Sequence, residues 1–259
     1  MRGMRSGLMA MTVLVGLTAG AAQAAWVDAT VYDFEGQGAQ TLANKGTVGG
    51  SLSPLGTPEL VSSPQGQAYR LEATKTGQDP NFTYTSEGLV ADAFANPDYK
   101  NGFRVEVSFR APQAQINDHA RLVDHGDWYL SMLPSGQIRF GGTFGGGTDT
   151  ARNVGTDLHD GQWHTVVMVY DPTVGGEYGR VTATVDGSAS ISFDLPHTSA
   201  PDFSAPKTLR IGTLHSTTTS NRAFRGDIDY VKIQVVPEPG AVGLLGLAGG
   251  SLLLSRRSR

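Results

Sequence analysis

The sequence contains no cysteine. Disulfide bridges, thiolate metal sites and cysteine nucleophiles are therefore excluded, and the fold must rely on its apolar core or on a bound metal. Charge is also scarce, at 17% of residues, while glycine is abundant at 34 residues. No sustained helical period and no internal repeat occur between residues 26 and 236. This composition favours short strands joined by tight turns over long charged helices.

Basic residues are too few for nucleic acid binding. The chain has 20 basic and 24 acidic residues, but five arginines and one glutamate lie in the terminal segments. Without them, residues 26–236 carry 15 basic and 23 acidic residues, a net charge of −8. An acidic domain is a poor match for a phosphate backbone, so we expect no nucleic acid partner. The residues removed from this count are Arg2, Arg5, Arg256, Arg257, Arg259 and Glu238.

The central part of the chain has the alternating pattern of half-buried strands. In "GFRVEVSFR" and "GRVTATVDG", apolar residues alternate with polar ones, which is the period of a strand with one buried face. "DWYLSMLPSGQIRFGG" is typical of a hairpin. "DGQWHTVVMVYD" has apolar residues on both faces and predicts a strand buried on both sides, with Trp163 in the core. Only "GLVADAFANP" suggests a helical turn. The spacing of strands and turns predicts a sandwich or barrel.

The N-terminus has the three parts of a secretion signal. Arg2 and Arg5 precede an apolar run over residues 7–20, and Ala22 and Ala24 supply the small-x-small pattern that a signal peptidase cleaves. We expect a signal peptide over residues 1–24, with cleavage after Ala24. The alternative is a membrane anchor, but a run of 14 residues is shorter than the about 20 that a span requires.

The C-terminus combines a proline motif, an apolar run and a basic end. Val236-Pro237-Glu238-Pro239 precedes 14 apolar residues and then the arginines at 256, 257 and 259. This order resembles the sorting segment of PEP-CTERM proteins, the substrates of exosortases in Gram-negative, exopolysaccharide-producing bacteria. The resemblance implies that residues 236–259 are a sorting segment, in which the apolar run over residues 241–254 forms a short helix that tethers the exported chain to the inner membrane. An exosortase would then cleave near the motif and deliver the protein to the cell surface or extracellular matrix.

The arrangement of charge and length agrees with a temporary tether. A helix of 14 residues is about 21 Å long, against a hydrocarbon core of about 30 Å. The terminal arginines would keep that end in the cytoplasm by the positive-inside rule. Pro237 and Pro239 would keep the membrane-surface stretch extended and open to an enzyme.

Residues 26–235 resemble the laminin G-like branch of the concanavalin A-like lectin/glucanase superfamily. The resemblance rests on "YDFEG" near the start, on "DGQWHTVVMVYD" followed by "VTATVDG" at the centre, and on "LRIGT" and "FRGDIDYVKI" near the end. It implies an all-β jelly-roll sandwich of two antiparallel sheets, one of them concave. Members of the superfamily include lectins, adhesion modules and glycan-cleaving enzymes, so the fold alone chooses no function.

The sequence lacks the acidic cluster of the glucan-cleaving members of this superfamily. Those enzymes carry two glutamates, each two positions from a central aspartate on one strand, which points the carboxylates to one face for acid and nucleophile chemistry. The comparable strand here, "VEVSFR", has only Glu106. We therefore assign no catalytic residue. A lyase that uses a tyrosine or histidine stays open as an alternative.

The stretch "NDHARLVDHGDWY" concentrates histidines, acids and a tryptophan. We take His125, Asp127 and Trp128 as candidate ligand-binding residues, because Trp128 begins a strand after a polar loop and can stack on a sugar. The alternative is that they are ordinary strand and loop residues. His119 and His125 are six positions apart, about 20 Å along an extended strand, which is too far for one metal ion.

Asp229 shares the strand parity of Val231 and Ile233, which predicts a carboxylate on the core side. In several superfamily members, the matching aspartate and backbone carbonyls near the first strand bind calcium. The resemblance thus implies a structural calcium site with the Asp229 carboxylate and the Glu35 carbonyl as ligands. A strand bulge would reverse the parity, and an arginine could pair with the acid instead.

These observations together predict a non-catalytic surface or matrix protein that binds an extracellular polysaccharide or mediates adhesion. Two alternatives remain: a structural matrix protein without a sugar site, and a glycan-cleaving hydrolase or lyase.

Overall fold

The computed structural model describes residues 25–38, 42–48, 50–76, 83–91, 99–115, 119–144, 149–196, 202–203, 207–214 and 222–237. The predicted signal peptide, and the sorting segment from Glu238 onward, lie outside these residues. Within the part described, regular structure consists of β-strands with no α-helix, and no helix there has the length and apolar character needed to cross a membrane.

The strands are short in the first half of the chain and longer in the second. In chain order they are β1 (Val27–Tyr32), β2 (Leu52–Leu55), β3 (Glu59–Ser63), β4 (Gly66–Leu71), β5 (Ala73–Thr76), β6 (Thr83–Ser86), β7 (Gly88–Ala91), β8 (Phe103–Arg110), β9 (Ala120–Asp124), β10 (Trp128–Met132), β11 (Ile138–Gly142), β12 (Thr150–Val154), β13 (Trp163–Gly176), β14 (Gly179–Val185), β15 (Ala189–Asp194), β16 (Arg210–Ile211) and β17 (Gly226–Val235).

Two large antiparallel sheets form the fold. The eight-stranded sheet has the order β15-β14-β13-β8-β17-β4-β3, and β1 also pairs with β17. The seven-stranded sheet has the order β12-β11-β10-β9-β16-β7-β2. A small ribbon of β5 and β6 completes the set. Two antiparallel sheets with this strand order are consistent with the predicted jelly-roll sandwich.

Alternation explains why the sheets pack face to face. In β8, Phe103, Val105, Val107 and Phe109 are fully buried, as the pattern predicts. On β10 of the other sheet, Trp128, Leu130 and Met132 are equally buried. Because these apolar faces meet between the sheets, each sheet turns its alternate residues outward. The outward residues are therefore the ones that can meet a ligand.

The hairpin prediction is confirmed. β10 pairs with β11 from Trp128↔Gly142 to Met132↔Ile138. Gly136 in the connecting turn has a φ of 76°, which favours glycine over any residue with a Cβ. The ideal Cβ of another residue there would lie 2.3 Å from His159 Nδ1, so the turn also needs glycine for space.

Two predictions about local structure are wrong. The start of "GLVADAFANP" forms β7, because Leu89 and Val90 pair with Ile211 and Arg210 of β16 and tertiary pairing overrides the local pattern. The rest of that stretch lies outside the described residues. β13 is also not buried on both faces. Val166 and Met168 lie in the core, whereas Trp163 is only partly buried and faces outward beside Arg110.

Candidate functional site

A cleft of about 400 Å³ opens on the outer face of the seven-stranded sheet. β9, β10 and β16 supply its floor, and the segments around Gly126, Thr143, Asp149 and Leu214 complete its lining. We call it the seven-strand cleft. The described residues that line it are Arg121, Asp124, Gly126, Tyr129, Gly142, Thr143, Asp149, Arg210 and Leu214.

A β-bulge in β9 creates the floor of the seven-strand cleft. Arg121 pairs with Ser131 and Asp124 pairs with Tyr129, while Leu122 has no pairing partner on β10. The extra residue shifts the in–out alternation of the strand by one position. Arg121 and Asp124 therefore lie on the same face although they are three positions apart. Regular alternation would have placed them on opposite faces. The arginine and the aspartate therefore meet beside Tyr129 only because of the bulge.

Arg121 is the central cation of this floor. Its side chain is 4% exposed, its guanidinium carbon lies 3.7 Å from the centroid of the Tyr129 ring, and Nη1 donates to Ser131 Oγ at 2.5 Å. Burial lowers the pKa of the Arg121 guanidinium, while the nearby Asp124 carboxylate acts in the opposite direction. Stacking on the ring fixes the guanidinium plane and leaves its edge for other acceptors.

Asp124 lies between two arginines. Arg121 Nε is 3.1 Å from Oδ2, and Arg210 Nη1 donates to Oδ1 at 3.4 Å. Burial nevertheless raises the pKa of the Asp124 carboxyl, with Arg121 and Arg210 offsetting part of that shift. Burial thus outweighs the two arginines and the backbone hydrogen bond from Gly126, which also lowers this pKa.

The seven-strand cleft is equipped to hold hydroxyl groups. Two guanidiniums donate, two carboxylates accept, and the Tyr129 hydroxyl donates to Asp149 Oδ1 at 3.5 Å. The formal charges of the two arginines and two aspartates cancel. No histidine or glutamate occurs among the described lining residues. No sequence pattern marks Arg121, Tyr129 or Arg210 as site residues, and Asp124 stands out only as part of an acidic and histidine-rich stretch.

The predicted ligand residues His125, Asp127 and Trp128 come together, but inside the domain. The His125 and Trp128 rings are fully buried and stack with centroids 5.1 Å apart, and the Tyr99 ring meets both edge-on. A sugar-stacking tryptophan needs an exposed face, so the prediction for Trp128 is wrong because the sandwich closes over that ring. Burial, with smaller effects from Lys207 and Arg210, lowers the pKa of His125 to about 3.

Asp127 belongs to the same buried cluster. It is 4% exposed, and Lys207 Nζ lies 3.3 Å from its Oδ1. Burial raises the pKa of the Asp127 carboxyl, and Lys207 partly reverses the shift. Like His125, it therefore supports the loop between β9 and β10 from within, and neither residue lines the seven-strand cleft.

The predicted position of Asp229 is half correct. It is 1% exposed, as expected, but β17 has a bulge between Ile228 and Tyr230 that breaks the alternation. The carboxylate accepts from Ser63 Oγ at 2.6 Å and from Ser108 Oγ at 3.5 Å, so it does not join the apolar row of Val231. The expected parity is wrong because the bulge adds one residue to the strand.

The surroundings of Asp229 fit a hard cation. Burial raises the pKa of the Asp229 carboxyl despite the two serines, and the nearby charges of Glu35 and Asp33 raise it further. The Glu35 carbonyl faces a cation already, because Lys45 Nζ donates to it at 3.4 Å. The described residues contain no group of three histidine, aspartate or glutamate side chains placed to hold a metal. A calcium ion at Asp229 would thus depend on backbone carbonyls, and the expected Glu35 ligand stays a prediction.

The start of the predicted sorting motif follows directly from the eight-stranded sheet. The Val236 amide donates to the Gly102 carbonyl at 3.3 Å, and Pro237 is the last residue described. Glu238, Pro239 and the basic tail lie outside the described residues, as do Ala22 and Ala24. The motif thus begins within two residues of the end of β17.

Comparison with solved structures supports the fold. Domain 4 of the arabinanase AbnA from Geobacillus stearothermophilus, solved with arabinotriose, has a TM-score of 0.52 and 16% identity over 82% of this chain and 93% of that one. The binding domain of Paraclostridial Mosquitocidal Protein 1 has a TM-score of 0.55 and 11% identity over 85% of this chain and 51% of that one. A botulinum neurotoxin type C structure, described as entering cells through two ganglioside molecules, has a TM-score of 0.54 and 12% identity over 81% of this chain and 46% of that one.

Sequence comparison gives the family. Curated protein sequences yielded no match. The family model of the concanavalin A-like lectin/glucanases superfamily, of laminin G type, matches residues 85–236. This segment covers more than half of the chain and contains the strands of the seven-strand cleft. The chain therefore belongs to the concanavalin A-like lectin/glucanase superfamily.

Proposed function

We propose that this protein is a non-catalytic glycan-binding module and that the seven-strand cleft is its sugar site. The observation that carries the proposal is the Arg121–Asp124–Arg210 group beside Tyr129, which combines donors and acceptors at the floor of one cleft. Sugars present hydroxyls that both donate and accept, so interleaved guanidiniums and carboxylates match them well. The Asp124 carboxylate gains most, because burial raises its pKa despite the two arginines.

Binding fits the seven-strand cleft better than cleavage does. A glycosidase needs one carboxyl group that is free to donate a proton and a second one poised for attack or for activating water. Here Asp124 lies between two guanidiniums, and Asp149 accepts from the Tyr129 hydroxyl. Neither carboxylate is held as a free acid opposite a free base. The glycan-cleaving hydrolase or lyase stays an alternative that the assay below separates.

The similar structures also support glycan binding, but they do not identify the sugar. The arabinanase domain was solved with arabinotriose, and the neurotoxin is described as interacting with gangliosides. At these identities the likeness supports the fold, and function has to be argued from the site. The neutral balance of charge in the seven-strand cleft favours a neutral sugar as its ligand.

A glycan array combined with a reducing-sugar assay on the host exopolysaccharide tests this function. We expect binding without sugar release. Arg210→Gln should weaken binding about tenfold, because a charge-assisted hydrogen bond contributes roughly 1.5–3 kcal/mol. Arg180→Gln is the matched control, since Arg180 is paired with Asp194 on the other sheet. Release of sugar would support the enzyme instead, and neither binding nor release would support a structural matrix protein.

We propose that the protein is exported and sorted to the cell surface or matrix of a Gram-negative bacterium. Support comes from the signal-like N-terminus and from the order of motif, apolar run and arginines at the C-terminus. Signal peptidase and an exosortase are the implied partners, and the inner membrane is a temporary one. Deletion of residues 237–239 should leave the full-length form in the inner membrane. Normal processing of that deletion would contradict the sorting proposal.

Calcium at Asp229 is a separate proposal about stability. A bound ion would neutralise a buried carboxylate that has acidic neighbours, and so would stabilise a domain without disulfides. Thermal melting with excess calcium and with chelator tests it, and Asp229→Asn should abolish the difference between the two melts. An unchanged midpoint on chelation would contradict the proposal.

A further inference from the structure

The outer face of the eight-stranded sheet carries a row of charged residues that crosses four strands. The register places Glu59 opposite Arg70, Arg70 opposite Asp227, and Asp227 opposite Arg110. Trp163 of β13 lies opposite Arg110 and ends the row. Neighbours across a sheet are about 5 Å apart, so the five side chains form one continuous ladder. None of these residues belongs to the seven-strand cleft.

Asp227 is the only buried charge in this ladder. Its side chain is 3% exposed and accepts from Arg70 Nε at 3.0 Å and from Arg110 Nε at 2.8 Å. Each guanidinium has five N–H donors, and one carboxylate cannot use them all. Arg70 and Arg110 are 40% and 29% exposed, so their remaining donors face the cleft beside the ladder.

Arg225 adds a third guanidinium to that cleft, and its backbone is fixed. The amide of Arg225 donates to Gln115 Oε1 at 2.8 Å, and Gln115 Nε2 donates to the Arg225 carbonyl at 2.9 Å. Gln115 is 4% exposed, so these two hydrogen bonds are shielded from water. The Arg225 side chain lies between Glu72, whose Oε2 is 3.3 Å from Nε, and the side-chain amide of Gln113. The guanidinium is therefore presented by a rigid backbone.

The cleft around these groups has a volume of about 290 Å³. We call it the arginine cleft. Its charged lining residues are three arginines, Asp227 and Glu72, which leaves one formal positive charge (3 − 2 = +1). The domain around it carries a net charge of −8. A local excess of guanidinium donors in an acidic protein marks a place that selects oxyanions.

We propose that the arginine cleft binds an acidic group of a polysaccharide, either a carboxylate or a sulfate ester. This is a second site on the opposite sheet from the seven-strand cleft. A planar carboxylate or a sulfate oxygen pair matches the fork geometry of a guanidinium, which a neutral sugar does not. Trp163 lies next to the ladder, with the Arg110 guanidinium 5.1 Å from its ring centroid, and its outward face adds apolar surface for the sugar ring.

Calorimetric titration of the full chain with three hexasaccharides tests the proposal: a galacturonic acid hexamer, a sulfated hexamer and a neutral glucose hexamer. We expect one or both acidic probes to bind through the arginine cleft, with affinity falling as salt rises. The acid that binds more tightly identifies the group. Arg225→Gln should weaken that binding roughly tenfold, whereas Arg225→Lys should restore part of it. Arg225 is the right target because its loss leaves Asp227 paired and only the exposed Glu72 unpaired.

Two controls separate this site from general charge and from the sugar site. Arg180→Gln removes the same charge from the same sheet at a distance from the arginine cleft and should leave acidic binding unchanged. Arg210→Gln should affect only the seven-strand cleft. The proposal is overturned if neither acidic hexamer binds, if Arg180→Gln weakens binding as much as Arg225→Gln, or if Arg210→Gln removes all binding. Thermal melts of each variant confirm folding.

Discussion

Both sheets carry a buried aspartate between two arginines on their outer face, but the two aspartates differ in how completely the arginines hydrogen-bond them. On the eight-stranded sheet, Asp227 accepts aligned hydrogen bonds from Arg70 and Arg110 at 3.0 and 2.8 Å. It sits in register with both arginines across three neighbouring strands. The carboxylate is thereby saturated and ties the three strands together, although both arginines keep exposed donors.

The matching group on the seven-stranded sheet is open. Asp124 has Arg121 Nε at 3.1 Å, yet that nitrogen makes no aligned hydrogen bond within the described structure. Arg210 approaches only to 3.4 Å. The aligned side-chain hydrogen bond of Arg121 goes to Ser131 instead, and its guanidinium stacks on Tyr129. The same two residue types thus saturate the carboxylate at Asp227 and leave it less completely hydrogen-bonded at Asp124.

The sharpest test of this difference is the stability of Asp227→Asn. The amide cannot accept from two guanidiniums as the carboxylate does, so we expect a loss of about 3 kcal/mol in unfolding free energy, the low end for broken buried pairs because both arginines keep access to water. Urea unfolding measures it. The matched control is Asp194→Asn at an exposed pair, where the change should be too small to resolve because water screens both charges. Equal losses would remove the distinction between the two kinds of ion pair.

The loop beneath the seven-strand cleft should respond to acid through His125. Its pKa is lowered by burial to about 3 in the folded state, against about 6.5 when unfolded. Unfolding therefore takes up a proton below pH 6.5, and stability falls as pH drops from there toward the folded value. We expect about 2 kcal/mol to be lost between pH 7 and pH 5. His125→Phe keeps a ring against Trp128 and should flatten this part of the pH profile. A profile unchanged by the substitution would show that His125 is not the acid-sensitive group.

Asp124→Asn should cost less than Asp227→Asn. The folded-state pKa of Asp124 is raised, which means that the ionised carboxylate destabilises the folded protein. The neutral amide of asparagine avoids this cost. We expect a change of about 1 kcal/mol or less in unfolding free energy, with glycan binding reduced. Protonation of Asp124 removes the same unfavourable buried charge. The wild type should therefore gain stability relative to this variant as pH falls through the folded pKa of Asp124. A loss as large as that of Asp227→Asn would mean that the two aspartates are equally well hydrogen-bonded by their arginines.

The smallest expected effect is that of His164, at the end of β13 next to the ladder. Burial lowers its pKa, but hydrogen bonds with Asp186 and Asp160 outweigh burial, and the net pKa is raised. The protonated ring stabilises the fold fully below pH 6.5, and this contribution disappears as pH rises through the folded pKa. His164→Gln should remove less than about 1 kcal/mol at pH 6 and almost nothing at pH 9. A pH-independent difference would point to packing against Phe109 as the cause.

Alternation in the sequence was sufficient to predict the core. The inward residues of β8 and β14, such as Val107, Val181 and Val185, follow a strict period of two and are buried as expected. The turn at Gly136 follows equally from local chemistry. These features depend on residues that are close in sequence, so the sequence alone determines them.

The site depends on features that no local pattern contains. Arg121 and Asp124 share a face only because of the bulge at Leu122, and a bulge in β17 likewise displaces Asp229. A single added residue moves every later side chain of the strand to the opposite face. Counting alternate positions therefore placed Asp229 on the wrong face. Arg70 and Arg110 precede Asp227 by 157 and 117 residues in the chain. Only the register across the sheet brings them together.

The pairing of β1 with β17 has a mechanical consequence. Val27 lies opposite Val235, and β17 is also hydrogen-bonded to β8 along most of its length. A pull applied at residue 236 runs along β17, perpendicular to the hydrogen bonds that hold it. All of these bonds then share the load in shear, so the strand cannot be peeled away one bond at a time. A load applied at residue 236 is therefore spread over the whole length of β17.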